Sequence, residues 1–191
     1  MSNGYKNIFR GLILMTFHVD IGNLRFFPAF VGLYLITLGL EELYRETGQL
    51  SFNKARLLSM AALLFSFLTS IFGMISEGAY ERMIPLILWH TGYQILEMVM
   101  FFKILESSVE YLRSRDSDLS ADELTGSQRN YTILSVGNIM IFSVSLMFSM
   151  WTPLTISSIS LLITRIYLLV IFSNMKKSVE PVAAEASAYH E

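Results

Sequence analysis

From residue 130 to residue 164 the chain runs thirty-five residues without a charged side chain. A hydrocarbon core about 30 Å thick is crossed by a helix of about 20 apolar residues. The run is therefore too long for one crossing and needs a break. Trp151-Thr152-Pro153 supplies it, because proline disfavours helix at the residue before it and suits the first turn of a new one. We read two spans, near 130–150 and 153–175, joined by a tight turn. Trp151 then sits at the membrane interface, where amphipathic rings collect.

The same yardstick finds three more spans. Residues 57–76 carry no charge, and residues 83–102 carry one, Glu97. These give spans near 56–76 and 83–105. A span near 26–44 opens at Pro28, and its apolar run ends at Leu40, before Glu41 and Glu42. The apolar stretch 11–17 is too short to cross alone and is bracketed by Arg10, His18 and Asp20. It is read as an interfacial or re-entrant helix over 5–18, with a sixth crossing as the alternative. The expected fold is all-α, a polytopic transmembrane helix bundle of five spans plus that N-terminal helix. Residues 1–177 form one domain. Residues 116–128 are expected as a polar loop, with a short turn where Ser120 and Glu123 have capping-box spacing. Residues 178–191 are expected as a disordered cytoplasmic tail.

Charge supports lipid and sets an orientation. Only 16% of residues are charged, against about 25% in a soluble domain. The net charge is −2 and the basic residues are scattered, so nucleic acid is not an expected partner. The absence of cysteine rules out disulfides, thiolate metal sites and cysteine nucleophiles. The opening residues do not read as a removable signal peptide. The connections at 44–55 and 106–129 and the C-terminal segment hold Arg45, Lys54, Arg56, Arg113, Arg115, Arg129, Lys176 and Lys177, with Lys103 close by. The other side holds Arg25 and Arg82, plus Lys6 and Arg10 if the first segment does not cross. The richer side is cytoplasmic by the positive-inside rule, which places the C-terminus inside.

One span carries an unusual face. In "WHTGYQILE" His90, Gln94 and Glu97 fall at i, i+4 and i+7, on one side of a helix. Glu97 lies fourteen residues beyond Met83, and Arg165 thirteen beyond Thr152, so the two reach nearly one depth. Asn138 and Thr37 come close to the same level. An ionised group at the bilayer centre costs about 2.5–3.5 kcal/mol and usually faces the bundle interior with a partner. Glu97 and Arg165 are the natural pair, either as a structural clasp or as part of a polar site for a solute or proton. No metal is expected, because glutamine is a poor ligand and no second His or carboxylate joins the face. No cofactor is expected either. Small residues mark packing faces: Ala29, Gly32 and Gly39 with Ile36, and Ser66 and Gly73 with Ser59, Ala62 and Ser70. A third face runs through Ser135, Asn138, Phe142, Ser145 and Ser149.

Enzyme signatures do not assemble. "EELYR" is one residue short of the Glu-Glu-x-x-x-Arg pattern of intramembrane prenyl-type proteases, and its partner histidine motifs do not follow. The sequence holds no His-Glu-x-x-His, Gly-x-Ser-x-Gly, Walker or Gly-x-Gly-x-x-Gly motif.

The stretch "FFPAFVGLYLITLGLEEL" (26–43) resembles the opening span of uncharacterised integral membrane proteins common in Gram-positive bacteria. Pro28, Phe30, Gly32, Leu35, Ile36, Gly39, Leu40 and Leu43 match their pattern. Ala29 stands where the family usually has Asp, and Leu33 where it has Tyr. The resemblance covers about 40 of 191 residues. It implies a multi-span bundle of the bacterial cytoplasmic membrane and no known activity. The functional expectation is an accessory or interaction subunit, in contact with the lipid bilayer, other membrane subunits or itself. The alternative is a small-solute binding or transport component using the layer around Glu97 and Arg165.

Overall fold

The computed structural model describes residues 2–17, 20–21, 24–25, 29–75, 84–114, 118–148 and 151–188. Six helices carry it: α1 (Ser2–Thr16), α2 (Ala29–Thr47), α3 (Leu50–Ile75), α4 (Ile84–Arg113), α5 (Asp118–Met147) and α6 (Trp151–Ala188). Between α1 and α2 a two-residue antiparallel pairing joins β1 (Asp20–Ile21) to β2 (Leu24–Arg25). His18 and Pro28 lie outside the described residues. Each helix packs on the next, and α6 closes back on α1, so the chain forms a ring.

Local chemistry sets the helix ends. Pro85 and Pro153 each occupy a first turn, where a missing N–H costs nothing. Gly48 ends α2 with φ of 68°, and its N–H reaches Tyr44 O at 2.8 Å. That left-handed cap reverses the chain into α3 within two residues.

The tightest packing joins α1 to α2. A Cβ built on Gly11 would stand 2.4 Å from Gly32 O, and one on Gly32 would stand 2.5 Å from Gly11 O. A turn pair further along, a Cβ on Gly39 would stand 2.5 Å from Gly4 O. Glycines seven apart on each helix thus face each other backbone to backbone, and the descending register makes the helices antiparallel. α1 packs closely on α2, and Tyr5, Ile8, Leu12 and Met15 form its buried face. The glycines allow the close approach.

Two expectations change. The polar loop is helical from Asp118. Ala121 and Leu124 are buried there, which gives this helical turn a packed face. Residues 178–188, expected as disordered tail, continue α6; Ala183, Ala184, Glu185 and Ala186 are strong helix formers.

The core is built from large side chains inside the ring. Phe101 on α4 meets Tyr131 on α5 and Phe172 on α6, with centroids 6.3 and 6.5 Å away. The Tyr5 hydroxyl donates to Ser108 Oγ at 3.0 Å and so ties α1 to α4 across the ring. Trp89 stacks on Phe65 at 4.4 Å and donates from Nε1 to Thr69 Oγ1 at 2.8 Å, joining α4 to α3.

By length and composition, two stretches among the described residues can cross a membrane: Leu50–Ile71 of α3 and Thr155–Met175 of α6. The expectation of five such spans is met at these two. Polar residues lower α4: His90, Gln94, Glu97 and Lys103.

Candidate functional site

Four of the expected polar residues come to one region, where α4, α5 and α6 face one another. Glu97 and Arg165 form its centre. Arg165 donates from Nη2 to both Glu97 oxygens, at 2.9 and 3.0 Å, and from Nε to Oε1 at 3.2 Å. The side chains are 8% (Glu97) and 11% (Arg165) exposed, so the ion pair is held away from the surface. A planar guanidinium fits a carboxylate in this two-point way, which a lysine ammonium does not.

The remaining guanidinium nitrogen has a partner that the sequence did not reveal. Arg165 Nη1 donates to Met15 O at 2.8 Å. Met15 lies in the last turn of α1, whose terminal carbonyls have no acceptor role left inside the helix. A cation at that end also meets the negative pole of the helix dipole. One side chain thus links α6, α4 and α1.

Asn138 on α5 lies beside this pair. Its Oδ1 accepts from Ser157 Oγ at 2.9 Å, which fastens α5 to α6. A cavity of about 30 Å³ is lined by Glu97, Arg165, Asn138, Gln94, Tyr131 and Thr164, among others. That is the volume of about one water molecule in the liquid. Gln94 Oε1 is buried and has no hydrogen-bond partner among the described residues.

Thr37 and His90 belong elsewhere. Thr37 Oγ1 donates to Leu33 O at 2.9 Å and meets Ser59 Oγ at 2.8 Å, so it joins α2 to α3. His90 is half-buried on α4, outward of the cavity lining, and it has partners of its own. Equal depth along the helices therefore did not mean a shared site, because the ring sets α2 away from α5. Of the small-residue faces, Gly32 and Gly39 meet α1, and Ala29 is half-buried at the start of α2. Ser59, Ala62 and Ser66 are buried on α3. Gly73 lies in α3, and its packing is outside the described side chains.

The sequence reading missed Met15 O, Ser157, Tyr131 and Thr164. Ser157 and Thr164 were legible as polar residues on the inner side of an apolar run; a backbone carbonyl carries no such mark.

No family model matches this chain, and neither curated proteins nor solved structures provide a match.

Proposed function

We propose that this chain is a multi-pass protein of the bacterial cytoplasmic membrane, a helical accessory subunit whose Glu97–Arg165 layer holds the bundle together. The observation that carries the proposal is the engagement of all three Arg165 side-chain nitrogens by protein acceptors. Its donors go to Glu97 and Met15, and the adjoining space of about 30 Å³ has room for a water but not a solute. This favours a clasp over a transport site.

The outer surface supports the membrane setting. Only 22% of the α3 window and 28% of the α6 window is buried inside the bundle, whereas a soluble core helix would be mostly buried. Leu57, Met60, Leu64, Phe67 and Ile71 form an exposed stripe along α3, and Ile156, Ile159, Ile163 and Ile166 form another on α6. Soluble monomers rarely expose contiguous apolar area of this extent. The Glu97–Arg165 pair is inside, while apolar side chains cover the outer faces of α3 and α6.

In this reading α1 and α2 enter together as an antiparallel hairpin, α3 to α6 cross, and both chain ends are cytoplasmic. α1 spans about 22 Å, less than a full hydrocarbon core, and stops at the level of Arg165. A helix ending within a membrane exposes carbonyls that lipid cannot satisfy, and Arg165 answers that need. The α2–α3 turn, the α4–α5 connection and the end of α6 then share the Lys- and Arg-rich side.

The absence of cysteine makes the test direct, because each introduced thiol is unique. In intact bacterial cells an impermeant maleimide should label Glu81→Cys, and should label Glu46→Cys and Asp122→Cys only after lysis. Extraction of the chain by alkaline carbonate, or labelling of Glu46→Cys in intact cells, would overturn the proposal.

A further inference from the structure

A second cavity, of about 240 Å³, opens where α4 gives way to α5 and is walled by α1, α4, α5 and α6. It shares no lining residue with the Glu97–Arg165 cavity. Its floor is apolar, with Leu124, Ile171 and Met175 buried around it. An apolar cavity of about 150 Å³ accepts benzene, so this one has room for a single ring with a short polar arm. Tyr5 and Tyr167 line it as well. The Tyr5 hydroxyl is engaged with Ser108, so what Tyr5 offers the cavity is ring surface.

The charge of the lining is one-sided. Among the described lining residues Glu123 alone carries a carboxylate and none carries a cationic group, and Glu123 has no ion pair among the described residues. Arg113, next to the lining residue Leu112, is engaged with Asp122 at 3.6 Å. An anionic ligand would meet repulsion from Glu123, while a cation would meet its carboxylate and the side chains of Tyr5 and Tyr167.

We infer that this cavity binds a small organic ammonium, with an apolar body of about one ring and its positive charge set against Glu123. The inference stands apart from the clasp at Arg165 and does not depend on it.

The test uses the full chain in phosphatidylglycerol nanodiscs, whose lipid carries no ammonium group, with empty nanodiscs as the reference for lipid partitioning. Three probes of like size are read by fluorine NMR: 4-fluorobenzylammonium, 4-fluorobenzyl alcohol and 4-fluorobenzoate. The ammonium should bind at least tenfold more tightly than the alcohol, and the benzoate should show no binding beyond empty discs. Glu123→Gln, an exposed position, should bring the ammonium to within twofold of the alcohol. Val170→Trp should weaken both by at least tenfold; Val170 is half-exposed at the cavity wall, so the larger ring fits there without opening the core. Adding phosphatidylethanolamine to the discs separates the two sources of such a group. Competition with the probe would assign the site to a lipid headgroup, and no competition would assign it to a free amine. Equal binding of benzoate, an unchanged preference in Glu123→Gln, undiminished binding in Val170→Trp, or no binding beyond empty discs would each overturn the inference.

Discussion

Arg165 and Met15, 150 positions apart, are joined by a single hydrogen bond of 2.8 Å from the guanidinium to the main-chain oxygen. The same guanidinium grips both oxygens of Glu97, so one planar group holds a carboxylate and a helix end together. This geometry depends on the fork of Arg rather than on its charge alone.

Arg165→Lys therefore tests geometry at constant charge. A lysine ammonium can meet Glu97 or Met15 O, but its compact head does not span both. The expected loss is about 2 kcal/mol, in the range for a charged hydrogen bond with its buried partner left unmet. Unfolding of the purified protein by SDS titration, followed by circular dichroism, reads it. A change below about 0.5 kcal/mol would show that charge alone suffices.

The glycines of α1 and α2 make a second prediction with an internal control. Gly11→Ala and Gly32→Ala each place a methyl group within 2.4–2.5 Å of a backbone oxygen. Backbone cannot swing aside as a side chain does, so α1 must move off α2, at a cost of about 2 kcal/mol or more. Gly92→Ala and Gly137→Ala meet nothing within 4 Å and replace the poorest interior helix former except proline with the best. Those two should be neutral or stabilising by up to about 1 kcal/mol. The comparison is made by the same titration.

Gly48 makes a third prediction, based on backbone conformation. Nothing lies within 4 Å of its side-chain position, so space does not forbid a methyl group there. Its φ of 68° does. Gly48→Ala should destabilise by about 1 kcal/mol and Gly48→Asn by less, because Asn tolerates the left-handed region. Thermal unfolding in detergent would distinguish them.

These cases also separate what could be read from the chain and what could not. Glu97 and Arg165 were legible as partners because an unpaired charge in an apolar run is costly and their depths agree. Gly32 and Gly39 were legible as a packing face because small residues repeat there at seven. Their partners Gly4 and Gly11 were not, because a short helix bracketed by Arg10 and His18 looks amphipathic when its neighbour is unknown. Thr37 was placed in the layer by depth alone, and depth does not say where a helix sits around a ring. The helical turn at 118–128 was hidden by its polarity. Its helical state rests on Ala121 and Leu124, two apolar residues among many polar ones.

Gln94 gives a fourth prediction. Its buried Oε1 lacks a hydrogen-bond partner among the described residues, so Gln94→Met removes an unmet acceptor and keeps the volume. Such a change is near neutral or stabilising, within about 1 kcal/mol. A loss of more than about 2 kcal/mol in the SDS titration would place Gln94 inside the clasp.

The central claim is that Glu97 and Arg165 hold the bundle together as a structural pair. Glu97→Gln leaves a buried guanidinium without its counter-charge and should cost about 3–5 kcal/mol. The exchanged pair, Glu97→Arg with Arg165→Glu, restores the opposite charges but turns a carboxylate toward Met15 O, so it should recover part of that loss and not all of it. The decisive measurement is the coupling energy of the cycle formed by the original, Glu97→Arg, Arg165→Glu and the exchanged pair, from SDS unfolding in the same micelles with Glu97→Gln measured alongside. The account predicts an exchanged pair more stable than either single variant and less stable than the original. An exchanged pair no better than the worse single variant would contradict it, as would a Glu97→Gln protein as stable as the original.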